Sequence, residues 1–84
     1  MNYNITFKKT VSKDLKKINH TDVNRILDKL TSDLSQRADT FPELQGSFAG
    51  LRKYRVGNYR IIYSIIDNTV LILRIRHRKE VYKK

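Results

Sequence analysis

Lys53, Arg55, Arg60, Arg74 and Arg76 place five cations in a stretch otherwise rich in β-branched and aromatic residues, and His77 follows the last of them. Carboxylates are scarce nearby, with Asp67 at a turn and Glu80 beyond the cluster. Cations held on a rigid platform stabilise the negative charge that develops at a phosphate in a transition state. The same crowding disfavours one further charge, which makes Lys53 the preferred general base. Arg60 and Arg76 suit a phosphate clamp. Arg76 or His77 could protonate a leaving oxygen, and histidine is the side-chain type that titrates near neutrality. The chain has no cysteine and two histidines, so no metal site is legible and no cofactor is expected.

Whether these cations share a surface depends on strand register. Gly57-Asn58 suits a two-residue hairpin turn with glycine first. It pairs Val56 with Tyr59, sets Arg55 across from Arg60, and sets Lys53 across from Ile62. Lys53, Arg55 and Arg60 then point one way, and Tyr54, Val56, Tyr59, Ile61, Tyr63 and Ile65 point the other. A second turn of three residues, Asp67-Asn68-Thr69, or an equivalent bulge, pairs Ile66 with Val70. Arg60 then opposes Arg76, Ile62 opposes Arg74, and Leu71, Leu73 and Ile75 join the buried face. A two-residue turn without a bulge would drive Arg74 and Arg76 into the core, because a one-residue slip exchanges the faces of a strand. The open face would carry the cations, with Ile62, Ser64 and Ile72 further along. A merely solvated face would mix both signs.

The elements that must hold this face follow from periodicity. Tyr3–Phe7 alternates as a strand. Val11, Leu15 and Ile18 form a helical stripe, and Asn19-His20-Thr21 interrupts it. Thr21 is a plausible N-cap for a second helix carrying Val23, Ile26, Leu27, Leu30 and Leu34. So short a link makes the two helices an antiparallel hairpin. Residues 36–50 read as a loop, with Leu44 and Phe48 turned to the core. Strands at 51–56, 59–66 and 70–76 complete a β-α-α-β-β-β order. This is an α+β fold, a helical hairpin packed on one face of an antiparallel sheet, in a single domain spanning 1–84.

Composition narrows the partners. Eighteen Lys and Arg against eight Asp and Glu give the 84-residue chain a net charge of +10. Such a field draws in nucleic acid, an acidic protein or anionic lipid. No segment reaches the roughly 18 apolar residues of a membrane span, and the N-terminus lacks the regions of a signal peptide, so a cytoplasmic location without membrane contact is expected.

The run from Gly50 to Tyr63, GLRKYRVGNYRIIY, resembles the central hairpin of the RelE/ParE toxin superfamily. His77-Arg78-Lys79-Glu80-Val81-Tyr82 resembles its C-terminal signature, and Leu44-Gln45-Gly46 its short segment before the hairpin. The likeness extends over essentially the whole chain. It implies a toxin of a type II toxin-antitoxin pair, silenced by an acidic cognate antitoxin. In the RelE branch such a toxin enters the ribosome and cuts translated mRNA. In the ParE branch it poisons DNA gyrase. By this resemblance Lys53, Arg55, Arg60 and Arg76 are catalytic, and Tyr82 stacks on an RNA base. Arg74, Arg78 and Lys79 would contact RNA. Arg55 stands where the best-studied branch has lysine, and relatives fill the position of His77 differently. The expected activity is a ribosome-dependent endoribonuclease, an mRNA interferase that needs no metal because the RNA 2′-OH is itself the nucleophile. A gyrase poison and a non-catalytic nucleic-acid-binding module are the alternatives.

Overall fold

The computed structural model describes residues 2–46 and 50–81, excluding the side chains of Glu80 and Val81. Strand β1 (Asn4–Phe7) leads into helices α1 (Lys9–Lys16) and α2 (His20–Arg37). A 3-10 turn at Ala38–Thr40 ends α2. Strands β2 (Arg52–Val56), β3 (Tyr59–Ile66) and β4 (Thr69–His77) follow, and a short helix α3 (Arg78–Val81) closes the described chain. The strands form one sheet in the order β1-β4-β3-β2. The antiparallel β2-β3-β4 meander matches expectation, while β1 lies parallel to β4, so the whole sheet is mixed. Among the described residues no helix is long and apolar enough to cross a membrane.

One face of the sheet is covered by the helices. Ile26, Leu30 and Leu34 recur at four-residue intervals on α2 and are fully buried, as is Val11 of α1. They meet Tyr54, Val56, Ile61, Tyr63, Val70, Ile72 and Ile75 from the strands. Each such aliphatic side chain contributes about 1.5–3 kcal/mol through burial. Tyr63 is fully buried, and its hydroxyl donates to the Ala38 carbonyl at 2.7 Å. It thereby caps the α2 end from the helix-covered face of the sheet.

Three local expectations are corrected. The N-cap of α2 is Asn19, whose side chain accepts the Asp22 N–H at 2.9 Å, so the helix begins earlier than Thr21 implied. The second hairpin closes in two residues, Asp67-Asn68, because Asp67 adopts φ 55 and Ile66 pairs with Thr69. A β-bulge between Ile62 and Tyr63, whose partners are Arg74 and Ile72, is the expected equivalent of a third turn residue and restores the Arg60–Arg76 register. Consequently Val70, Ile72 and Ile75 are the buried residues of β4, whereas Leu71 and Leu73 are only half-buried. Leu44 is half-buried, and Phe48 lies outside the described residues.

Beyond Phe7, where β1 ends, α1 takes over the exposed edge of β4. The Lys8 N–H donates to the Ile72 carbonyl at 2.9 Å, and the Thr10 hydroxyl donates to the Leu73 carbonyl at 3.0 Å. One turn later Asp14 accepts the Ile75 N–H at 3.0 Å. The helix hairpin is thus bonded to the strand edge as well as packed on the face.

Candidate active site

The paired strands place Arg55 opposite Arg60 and Arg60 opposite Arg76, so these three guanidinium-bearing residues form one row across β2, β3 and β4. The next row is Lys53, Ile62 and Arg74. The Gly57-Asn58 turn sets this register. Gly57 sits at φ 56, a backbone conformation that calls for glycine, and a Cβ there would approach the end of the flexible Arg25 side chain to 3.2 Å. The Arg55 Nε–H donates to the Gly57 carbonyl at 3.0 Å and orders that side chain beside the turn.

An open groove of about 360 Å³ lies along this row, lined by Phe41, Pro42, Lys53, Tyr54, Arg55 and Arg60. Its wall is built by the segment before β2. The Lys53 N–H donates to the Pro42 carbonyl at 3.1 Å, and the Arg52 side chain donates to the Phe41 carbonyl at 2.6 Å. Phe41 meets Tyr54 edge to face at 5.0 Å. The Tyr54 hydroxyl donates to Asp33 of α2. Burial, and next the Asp33 carboxylate, push the Tyr54 phenol well above its ordinary range, so it stays a neutral strut. A smaller cleft holds Arg55, Asn58, Tyr59, Arg60 and Arg78, and the Arg78 N–H donates to the Asn58 carbonyl at 2.7 Å. Arg78 therefore joins the cluster through α3.

The remaining candidates are placed differently. His77 pairs with Tyr59, and their rings meet edge to face at 5.2 Å. One residue on from Arg76, it takes the opposite side of the strand. Its Nδ1 accepts the Lys79 N–H at 3.1 Å, at the start of α3. Lys79 is exposed, and Tyr82 lies outside the described residues. Arg74 reaches over the sheet edge to α1, where its Nε and Nη2 both donate to Asp14 at 3.0 Å.

Asp14 was missed by sequence reasoning. It occupies the i+3 position of the Val11, Leu15, Ile18 stripe, and a carboxylate on an apolar stripe is the signal that marks it. It is 5% exposed. Burial pushes its carboxyl upward, but hydrogen bonds from Arg74 and Ile75, with the charges of Arg74 and Arg76, outweigh burial and hold it below the usual range. The wall residues Phe41 and Pro42 were also missed, since nothing local in a loop announces which strand it will flank.

Residues 5–82 match the model of the family described as ParE toxin of the type II toxin-antitoxin system, parDE. The chain is 32% identical to Toxin RelG of Mycobacterium tuberculosis, with all of both chains covered. It is 32% identical to Toxin RelE3 of Methanocaldococcus jannaschii, with 93% of each covered. Among solved structures, a chain of the toxin-antitoxin complex RelBE2 from M. tuberculosis superimposes with a TM-score of 0.85 at 32% identity, covering 93% of this chain and 100% of that one. The family match, the whole-length identity and the shared topology agree: the chain belongs to the RelE/ParE superfamily and is a toxin of a type II toxin-antitoxin system.

Proposed function

We propose that this toxin is a ribosome-dependent endoribonuclease that cuts translated mRNA. The observation that carries the reading is the Arg55–Arg60–Arg76 row, which gathers like charge on an open face at a cost to the sheet. In the reaction the 2′-OH attacks the adjacent phosphorus. The new O–P bond forms as the bond to the 5′-oxygen breaks, leaving a 2′,3′-cyclic phosphate and a 5′-OH end. Lys53, in the groove wall, takes the 2′-OH proton. Arg60 and Arg76 neutralise the phosphorane, and Arg55 orients the strand entering the groove. Arg76 also delivers the proton to the 5′-oxygen, since His77 lies on Tyr59's side of β4. Tyr82 stacks on the base beside the cut. Arg78 and Lys79 hold flanking phosphates. The ribosome aligns the mRNA for attack, which is worth many orders of magnitude in effective concentration. A metal-independent route suits this cation-rich set of side chains.

The partner proposed to silence it is an acidic antitoxin, as charge complementarity demands of so cationic a surface. Solved relatives from M. tuberculosis and Pyrococcus horikoshii are toxin-antitoxin complexes.

A second reading, a gyrase poison, is favoured by the ParE description of the matching family. Primer extension on cellular mRNAs after induction separates the two. Cuts confined to translated regions support cleavage on the ribosome; intact mRNA with broken DNA supports the gyrase poison.

A further inference from the structure

Building on the cleavage reading, we propose that Asp14 is a positioning residue: it withholds Arg74 from the nucleic acid and pins the β4 bulge so that Arg76 faces Arg60. The bulge is the origin of that register, because it shifts β4 by one residue between Ile72 and Arg74. An extra residue in a strand loses its ladder partner, so a bulge needs other bonds to hold it. Here both come from one face of α1. Thr10 donates to the Leu73 carbonyl, and Asp14 accepts the Ile75 N–H, each at 3.0 Å. Thr10 and Asp14 are four residues apart and so lie one above the other.

The two oxygens of Asp14 divide the work. Oδ2 accepts from both the Ile75 N–H and Arg74 Nε, while Oδ1 accepts from Arg74 Nη2. The bidentate fork commits the planar guanidinium to the carboxylate. The Asp14 side chain is 6% exposed and that of Arg74 is 41% exposed, so the carboxylate is the buried anchor. A cation at the edge of an RNA-binding face is thereby turned to a joint between helix and sheet.

The division of labour makes the substitutions separable. Asp14→Asn can keep one oxygen on the Ile75 N–H, but its amide N–H₂ opposes Arg74 Nη2 and releases that side chain. Asp14→Ala loses both bonds. Affinity is read by anisotropy with a 2′-O-methyl single-stranded RNA, which lacks the attacking hydroxyl. Rate is read as single-turnover cutting at saturation on programmed ribosomes, and the joint as hydrogen exchange of the Ile75 amide. Asp14→Asn should bind roughly threefold more tightly, as one released cation reaches a phosphate, with cutting and Ile75 protection near wild type. Asp14→Ala should gain the same affinity, lose Ile75 protection and cut about tenfold or more slowly, since small misplacements of a reacting group are costly. Arg74→Gln alone should change affinity little, and in the Asp14→Asn background it should abolish the gain. If Arg74→Gln weakens binding by itself, Arg74 is an RNA ligand and the inference is overturned. It is equally overturned if Asp14→Ala keeps Ile75 protected and cuts at the wild-type rate. Should the wild type fail to cut, the cleavage reading falls alone, and affinity and exchange still decide the role of Asp14. Should Asp14→Ala fail to fold, Asp14→Asn and Arg74→Gln decide it.

Discussion

Arg60 faces Arg76 directly across the β3-β4 ladder, with Arg55 facing Arg60 from the opposite strand. Directly opposed like charges in a sheet destabilise it by up to about 1 kcal/mol per pair. On the proposed cleavage reading, an RNA phosphate offsets that cost.

Arg60→Ala tests that reasoning. Removing a donor aimed at developing charge typically costs about 100- to 1000-fold in rate. The substitution also relieves the two like-charge oppositions, so thermal stability should stay near wild type or rise. The informative result is lost mRNA cutting with an unchanged melting temperature. Wild-type cutting by Arg60→Ala would leave the plain nucleic-acid-binding module as the better account of this face.

Tyr63→Phe addresses the fold rather than the chemistry. The buried phenol, pushed up to about 12 chiefly by its burial, donates to the Ala38 carbonyl at 2.7 Å. Its loss leaves a carbonyl at the α2 end without that donor and should cost about 1–3 kcal/mol, read from the urea midpoint. Leu30→Ala, in the centre of the α2 stripe, should cost about 2–5 kcal/mol, a large share of the stability of a domain this small.

Acid should weaken the joints between helices and sheet. Asp14 is held below its usual range by Arg74 and Ile75, which outweigh its burial, and Asp33 is held down first by the Tyr54 hydroxyl. A carboxylate with a depressed folded-state pKa contributes stability that is present above its unfolded value, and this is lost as pH falls through the folded value. Urea midpoints should therefore fall below about pH 4. Asp14→Asn should be less stable than wild type near neutrality, and the difference should narrow in that acid range. A constant difference down to pH 2 would rule out Asp14 as a titrating anchor.

The parts of the site legible in the sequence are those set by short-range rules. Gly57-Asn58 announces a tight hairpin, and from it Arg55–Arg60 and Lys53–Ile62 follow by counting. The Arg60–Arg76 pairing follows from burial, because a one-residue slip drives arginine into the core. Burial alone could not decide between a longer turn and a bulge, since both shift the strand by one residue. The bulge reverses which β4 residues are buried, so Val70 and Ile72 replace Leu71 and Leu73. The bonds that flank it come from Thr10 and Asp14, some sixty residues away in sequence. No local pattern in β4 could reveal them.

The identity of the proton donor provides the last prediction. Arg76 shares the row with Arg60, whereas His77 packs its ring on Tyr59 and accepts the Lys79 N–H. His77→Gln keeps a side-chain acceptor and removes the imidazole. If Arg76 is the donor, His77→Gln should cut mRNA within a few-fold of wild type, with an unaltered pH-rate profile between pH 5 and 8. Arg76→Ala should lose about 100-fold or more, as expected for a group acting on developing charge. If His77 is the donor, His77→Gln should instead lose general-acid catalysis, typically about 100- to 10,000-fold. His77→Ala is the less informative choice, because it also removes the edge contact with Tyr59 and the acceptor at the start of α3. Single-turnover rates on programmed ribosomes across that pH range distinguish the two donors, and an unaltered profile with fast cutting in His77→Gln assigns the proton to Arg76.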